Sequence, residues 1–559
     1  MTTDQNYQQI YRVGGMLDAG FVGQITYTIS LDQVYDELDI HFSFDKRLYS
    51  ESDVTPELID RLQTLCTAKY NAPTYPVEEF RQTILHEMKT EIHTMAELND
   101  NFIGCIHRQL TDRHMLYTKE FTSDGCLAQD TFSGVLKVTV LVFNVLLDNT
   151  QYTLTVSGHP VGQGVIAPNF NLMDTVKTAA GNAGASNAAG SADNSCDAES
   201  APASAVATAG SSDVSGAGSA AMAGDSSVSG AGSVATAGDS GVSGAGSAAT
   251  AGDSSTTGSS SADNTVTAST RFKRLELHNH TVESDGSLTC QELTEYLAAD
   301  HVDAFAITDH NTTSGQKKIE QLLEEKHYPI SLIRGMEYTT YFGHILCLNL
   351  AKYVPWNSID QHRPELLFEA TRKKGALVGI AHPFSYGDPF ARGCRFEMTI
   401  SDYSKVDFIE IFNNPEPLHE VNERGTNLWM SLIFSGYQIT ATSGMDLHNR
   451  AKLAGCYATY IEGKNGGNIA SELDTAIHTH RTWVSKGALL LTEVLPETNE
   501  LLLTFTDAHK PGFSVPKTAQ VVLKGKDKTF TTSVSLDKPV RVSLNQLSGT
   551  DPIIPLLYE

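Results

Sequence analysis

The stretch Ala304-Phe305-Ala306-Ile307-Thr308-Asp309-His310-Asn311 is a short apolar run that empties abruptly into polar side chains. A run of this length and character is the pattern of a buried strand. Polar groups crowded at its end have little structural purpose there unless they bind something. The pattern recurs along the chain. Leu277-His278-Asn279-His280 closes one run, Gly335-Met336-Glu337 another, Ala381-His382-Pro383 a third, and Gly444-Met445-Asp446-Leu447-His448 a fourth. Gly343-His344 adds an imidazole seven residues after Glu337, and Asp285 sits in Ser284-Asp285-Gly286, which alone would read as a turn. Where a strand continues through His278 and His280, the two rings project to the same side.

These are six histidines and three carboxylates between His278 and His448. A divalent cation cluster needs imidazole nitrogens and carboxylate oxygens converging on one cavity. His310 is the ligand expected from its run, with Asp309 orienting it, or another imidazole, from behind. Glu337 is the carboxylate expected to bridge two ions.

Around these motifs short apolar runs alternate with helical stretches, the signature of β/α units building a parallel sheet or barrel. The expected strands are Phe272–His278, Asp303–Thr308, Ile330–Glu337, Gly343–Leu350, Ala376–Ala381, Val406–Phe412, Gln438–Ser443 and Cys456–Glu462. Thr289–Asp300, Gly315–Lys326, Glu365–Lys374 and Ile469–His480 read as helices between many of them. Each candidate ligand is expected at or just beyond the C-terminal end of a strand, where β/α barrels place their catalytic groups.

Four segments follow from the composition. Residues 1–174 read as an N-terminal α+β domain, with alternating strands at Gln24–Leu31, Leu38–Phe44 and within Val135–Val156, and helices at Pro56–Tyr70 and Val77–Leu98. Its histidines, among them His41, His86, His93, His107 and His114, show no carboxylate partner at ligand spacing and read as surface or satisfied core positions. Residues 175–270 read as a disordered repetitive linker: from Thr178 to Thr270 there is no aromatic residue and no Lys or Arg. Gly-Ala-Gly-Ser recurs there at Gly216, Gly230 and Gly244, a 14-residue period without the apolar face a solenoid must stack. Residues 271–488 form the β/α domain that carries the candidate ligands. Residues 489–559 read as a small β domain, with strands at Glu500–Phe505, Gln520–Leu523, Thr529–Val534 and Val540–Leu544.

Composition narrows the function classes. The 559 residues carry a net charge of −26, from 66 acidic against 40 basic side chains. That balance disfavours holding a nucleic acid along the general surface, so an anionic substrate needs locally bound cations. Eight dispersed cysteines without a Cys-x-x-Cys pair read as reduced thiols. The N-terminus lacks the order of a signal peptide, and no run of about 18 apolar residues appears. A soluble, cytoplasmic protein with no membrane partner is the expectation.

The ordered series H-x-H, S-D-G, I-T-D-H-N, G-x-E, G-H, A-H-P and G-x-D-x-H resembles the PHP (polymerase and histidinol phosphatase) metallohydrolase superfamily over roughly Leu275 to Leu490. Asp407-Phe408-Ile409-Glu410-Ile411-Phe412-Asn413, Asn427-Leu428-Trp429 and Arg481-Thr482-Trp483-Val484-Ser485 make it similar to the CehA/McbA-type subgroup. The resemblance implies a distorted (β/α)7 barrel holding two or three divalent ions, with manganese, zinc or iron as the usual metals. It implies one metal on His278, His280, Glu337 and Asp446, a second on Glu337, His344 and His382, and a third on Asp285, His310 and His448.

Two close cations lower the pKa of a bridging water and stabilise charge on the attacked centre, so the expected reaction is metal-dependent hydrolysis of a small ester, a phosphoester first. Arg450, after His448-Asn449, is a candidate for a charge-assisted phosphate contact, and Arg392 and Arg395 are similar loop candidates. Two other readings stand beside it. One is a hydrolase of non-phosphate esters or amides, which the CehA/McbA resemblance includes. The other is a binding or scaffolding protein with a structural metal module, against which nine ligands exceed what a closed single-metal site uses.

Overall fold

In the computed structural model the described residues are 7–161 and 270–558, except 71–73, 109, 360–361, 414–419, 511–513 and 548–551, together with two short strands between them. Apart from those strands, the expected linker lies outside the described residues. The chain's contacts divide into two compact units, one built on the N-terminal strands and one on the strands from Thr270 onward. The whole is a mixed α/β protein with several sheets. No helix among the described residues is long and apolar enough to cross a membrane.

The first unit is an antiparallel sheet of β1 (Gln8–Leu17), β2 (Gly23–Phe44), β3 (Glu91–Leu98), β4 (Asn101–Ile106), β5 (Asp112–Tyr117), β6 (Phe132–Asn144) and β7 (Thr150–Pro160), in the order β1-β7-β2-β6-β3-β4 with β5 on β2. The 22-residue β2 serves two neighbours, pairing β6 through Gly23–Leu31 and β7 through Glu37–Phe44 with a register shift at Tyr35. Leu38, Ile40 and Phe42 alternate into the core with Leu136, Val138, Val140 and Leu154. Helices Pro56–Tyr70 and Val77–Glu87 pack Leu58, Leu62, Phe80 and Ile84 into a second core.

Two expectations for this unit are corrected. The helix expected over Val77–Leu98 stops at Glu87, where Met88 turns extended, and Glu91–Leu98 is a strand paired with β6. Helical spacing carried through Glu87 hid the alternation of Ile92, Thr94 and Ala96, and β-branched residues favour the pleated state. The histidines do have carboxylate partners. His41 Nε2 lies 3.1 Å from Asp112, His114 Nδ1 2.9 Å from Asp39, and His93 Nε2 3.1 Å from Glu91. Cross-strand pairing brings the first two together, and sequence spacing does not display it.

In the second unit β10 (Thr270–Glu276), β11 (Ala304–Ile307) and β12 (Ser331–Thr340) are parallel, β13 (Gly343–Leu348) runs antiparallel between β12 and β14 (Leu377–Ile380), and β14, β15 (Phe408–Asn413) and β16 (Thr440–Gly444) are parallel again. To number in chain order, β8 is Val206–Thr208 in the first unit and β9 is Gly232–Ala235 in the second. β17 (Ala458–Lys464) pairs antiparallel with β10, and β18 (Thr482–Ser485) with β17. The sheet nearly closes, because β16 meets β17 and β18 through side chains rather than a ladder: Ser443 N donates to Thr459 Oγ1 (2.8 Å), Thr459 Oγ1 to Ser443 O (3.0 Å) and Thr482 Oγ1 to Ala441 O (2.8 Å). Leu275, Ala304, Ile333, Leu346, Leu377 and Phe408 share one buried core with Leu473 and Ile477 of the helix Ile469–His478.

After it come β19 (Ala488–Leu495), β20 (Glu500–Asp507), β21 (Thr518–Lys524), β22 (Thr529–Ser535), β23 (Val540–Ser543) and β24 (Ile554–Tyr558). Their core, Leu489, Leu501, Phe505, Val521 and Leu523, is continuous with Tyr460 and Trp483 of β17 and β18.

Candidate metal centre

Eight of the nine candidate ligands gather at one rim of the nearly closed sheet; the ninth, Asp285, falls with Glu283 in the first compact unit. His278 and His280 lie just past β10, His310 past β11, His382 past β14, and Asp446 and His448 past β16. Two depart from the expected placement. Glu337 lies inside β12, and His344 is near the start of β13, not its end. Because β13 is antiparallel to β12, its beginning faces the same rim, and Thr339 pairs directly with His344.

Glu337 is fully buried at the middle. Its Oε1 lies 2.9 Å from His344 Nδ1 and 3.1 Å from His382 Nε2. Its Oε2 lies 3.2 Å from His278 Nε2, 3.4 Å from His280 Nε2 and 3.0 Å from His310 Nδ1. One carboxylate therefore presents a different oxygen to each half of the cluster. Asp446 Oδ1 stands 2.9 Å from His280 Nε2 and 3.4 Å from His278 Nε2. Donor atoms of His278, His280, Glu337 and Asp446 lie within 4.8 Å of one another, as do those of His310, Glu337 and His344.

Backbone geometry is committed to this convergence. His382 and Asp446 have φ of 23° and 52°, a region non-glycine residues enter at a cost and which clusters at functional sites. The glycines of two motifs are explained by close approach. A Cβ on Gly444 would stand 2.5 Å from the His278 Cβ, and one on Gly286 2.4 Å from the His280 carbonyl oxygen.

The charges are strongly coupled. Burial raises the Glu337 carboxyl, but the facing imidazoles of His278, His344 and His310 outweigh it and hold the group well below the usual carboxylate range. Asp446 is likewise held low, against its burial, by His278, His448 and His280. Burial works to lower His278, yet Glu337, Asp446 and Glu410 raise it well above an ordinary imidazole. His280 moves the other way: burial, then His310 and His448, bring it to about 3, so it is a neutral donor at neutral pH.

These residues fit divalent cations. His278 Nε2, both His280 nitrogens, Glu337 Oε2, His344 Nε2 and Asp446 Oδ1 are buried, and none is in a well-formed hydrogen bond. Each buried polar group left so costs on the order of 1–3 kcal/mol, and cations ligated by these lone pairs remove that cost. The mixed imidazole and carboxylate set suits zinc, iron or manganese.

Two acidic groups with no role assigned from sequence support the ligands. Glu410, fully buried in β15, accepts from His278 Nδ1 (3.0 Å), from the His382 backbone N–H (3.0 Å) and from Asn413 Nδ2 (3.0 Å). It fixes His278 in the tautomer that turns Nε2 inward. A lone glutamate in the apolar run Phe408-Ile409-Glu410-Ile411-Phe412 was the available signal. Glu276, also buried, accepts from Met445 N (2.8 Å), and burial pushes its carboxyl up to about 7.

Asp309 accepts from Thr281 N (2.7 Å) and Thr281 Oγ1 (2.8 Å), bracing the residue that follows His280. Asn311 and Thr339 exchange hydrogen bonds that tie the end of β11 to β12. Much of the polar run after Ile307 thus does structural work, contrary to the expectation that it has little structural purpose unless it binds something. Arg450 is exposed and lies over the Tyr296 ring, 5.9 Å from its centroid, and Arg395 lies over Phe384.

Residues 7–160 match DUF6669, a family of unknown function. The chain is 34% identical over 79 residues to the 5'-3' exoribonuclease Rnm of Escherichia coli, a match covering 13% of this chain and 27% of that protein. It is 30% identical over 112 residues to an uncharacterized protein of Methanocaldococcus jannaschii, covering 20% of this chain and 58% of the other. The chain thus spans less than two thirds of either relative. Among solved structures, a two-domain protein from Bacteroides vulgatus, described as containing a predicted PHP-like metal-dependent phosphoesterase, aligns at 14% identity with a TM-score of 0.31, covering 52% of this chain and 87% of that one. Fold and site together define a mixed α/β protein with a nearly closed barrel-like sheet and a histidine–carboxylate centre able to hold divalent cations.

Proposed function

We propose that this chain is a divalent-metal-dependent hydrolase of small phosphoesters, its centre carried on a distorted (β/α)7 barrel of PHP, CehA/McbA-like type. The observation that carries the reading is Glu337, whose two oxygens face separate groups of imidazoles. The ligand sets follow: His278, His280, Glu337 and Asp446 for one ion, Glu337, His344 and His382 for a second, Asp285, His310 and His448 for a third. When bound, such ions supply Lewis acidity and water of lowered pKa at neutral pH.

The chain's own residues do the rest. Glu337 holds the two halves of the site at a fixed separation, and Glu410 keeps the His278 Nδ1 proton on the outer side. Asp309 positions the His280 segment through Thr281, and Arg450, two residues beyond His448, is proposed to meet the substrate's phosphate. The phosphoester class draws support from the local similarity to an exoribonuclease, an enzyme named for breaking phosphodiesters. With a net charge of −26, the chain needs these cations to attract an anionic substrate.

The test is turnover by purified full-length protein loaded with manganese, zinc or iron. Phosphate release or cleavage of an aryl phosphodiester is expected, lost with chelator and lost in His278→Ala. Turnover confined to carboxyl esters or amides would refute the phosphoester class and keep the hydrolase. No turnover across all classes by fully metallated protein would refute the hydrolase.

A further inference from the structure

We infer a further metal site in the N-terminal unit: a zinc-type divalent cation held by Glu91, His93 and His107. Glu91 and His93 stand two apart on β3 and so project from the same face of the sheet. Ile92 and Ala96, on the other face, pack into the main core of this unit.

His107 is delivered by register. The β3–β4 hairpin turns through Asn99 and Asp100, both at positive φ (50° and 62°), with Leu98 opposite Asn101. A register shift between Ala96 and Glu97 changes the pairing by one residue, so that Met95 faces Cys105 and Thr94 faces Ile106. Continued one step, that register sets His107 across from His93, and opposed residues of antiparallel strands share a face. Without the shift His93 would stand across from Ile106, and the two imidazoles would part.

The geometry fits a cation. His93 Nε2 lies 3.1 Å from Glu91 Oε1, the two imidazole rings are 3.9 Å apart between centroids, and the three donor atoms lie within 4.8 Å of one another. Ligand atoms about 2.0–2.2 Å from a tetrahedral ion stand at such separations. All three residues are at least nine-tenths buried: Glu91 is 6% exposed, His93 0% and His107 4%.

His107 Nε2 also lies 3.5 Å from Asp285 Oδ2, so a second carboxylate faces the group. Two histidines and one glutamate are a zinc donor set, with one position left for water or an outside ligand. Bound there, the ion would link β3 to the residue just after β4.

The test uses the full chain with the barrel centre disabled by His278→Ala, His280→Ala, His310→Ala, His448→Ala and Glu337→Gln, stripped of metal and titrated with zinc. About one equivalent should bind, Co²⁺ in its place should show tetrahedral d–d absorption, and zinc should raise Tm. Adding His107→Ala should remove that equivalent and the cobalt spectrum. Glu91→Gln, which keeps the volume and guards against misfolding, should weaken zinc binding about tenfold or more. The proposal fails if the barrel-disabled chain binds no zinc. It fails equally if the equivalent and the cobalt spectrum survive in both His107→Ala and Glu91→Gln.

Discussion

The barrel rim and the β3–β4 face of the N-terminal sheet use the same donors, imidazole and carboxylate, yet they are assembled by different means. At the rim the ligands come from just past β10, β11, β14 and β16, from within β12 and from the start of β13, each inside its own short motif. On β3 and β4 the group arises within one hairpin, and its third member is placed by a one-residue change of register. Parallel strands that end at one rim bring every post-strand residue to the same place, so a ligand needs only its position after a strand. An antiparallel hairpin fixes partners residue by residue, so a single bulge decides what meets what.

The sharpest way to break the comparison is at Glu337. Glu337→Gln removes one of the two charged oxygens, and both metal content and turnover should fall by more than about 100-fold, beyond the range for supporting residues. Elemental analysis beside activity reads this out; full metal retention would end the bridging role.

Glu410→Gln comes next. It leaves every proposed ligand in place but weakens the hold on His278 Nδ1, so a loss of about 10–100-fold in metal affinity or kcat/KM is expected. An unchanged affinity and rate would reduce Glu410 to a core residue.

The smallest effect concerns an ordinary ion pair in the N-terminal unit, against which the buried Glu91 group can be judged. Asp36 lies 2.7 Å from both Lys119 Nζ and His159 Nδ1. Burial raises its carboxyl, but these two partners outweigh it and leave the group below its ordinary value. A depressed folded-state pKa contributes stability that is present above the unfolded carboxylate pKa and lost as pH falls through the folded one. Asp36→Asn should therefore cost under about 1 kcal/mol at neutral pH, with the two unfolding curves converging in acid. A difference that grew toward low pH would reverse the assignment.

How much could be read in advance follows from the same contrast. The strands of the barrel-like sheet fall within a few residues of their expected positions because each is a short apolar run bounded by polar groups, and burial on both faces makes such runs conspicuous. In the N-terminal unit the helix through Val77 was extended too far, since Glu91–Leu98 mixes charged and apolar residues in a way that helical spacing also tolerates. Glu410 stood in a quoted motif without a role, because its partners His278 and His382 are distant in sequence and meet it only across the sheet.

The sequence by itself determined the candidate donors, their order and, Glu337 and His344 apart, their place just after strands, since hydrophobic periodicity and residue chemistry are local properties. It also set the acidic balance that makes bound cations the route to an anionic substrate. Only the tertiary structure decided that Glu337 turns one oxygen to each half, that antiparallel β13 returns His344 to the common rim, and that His93 and His107 face each other. Those outcomes depend on strand direction, register and closure, which are set by pairing between distant segments and leave no trace in local composition.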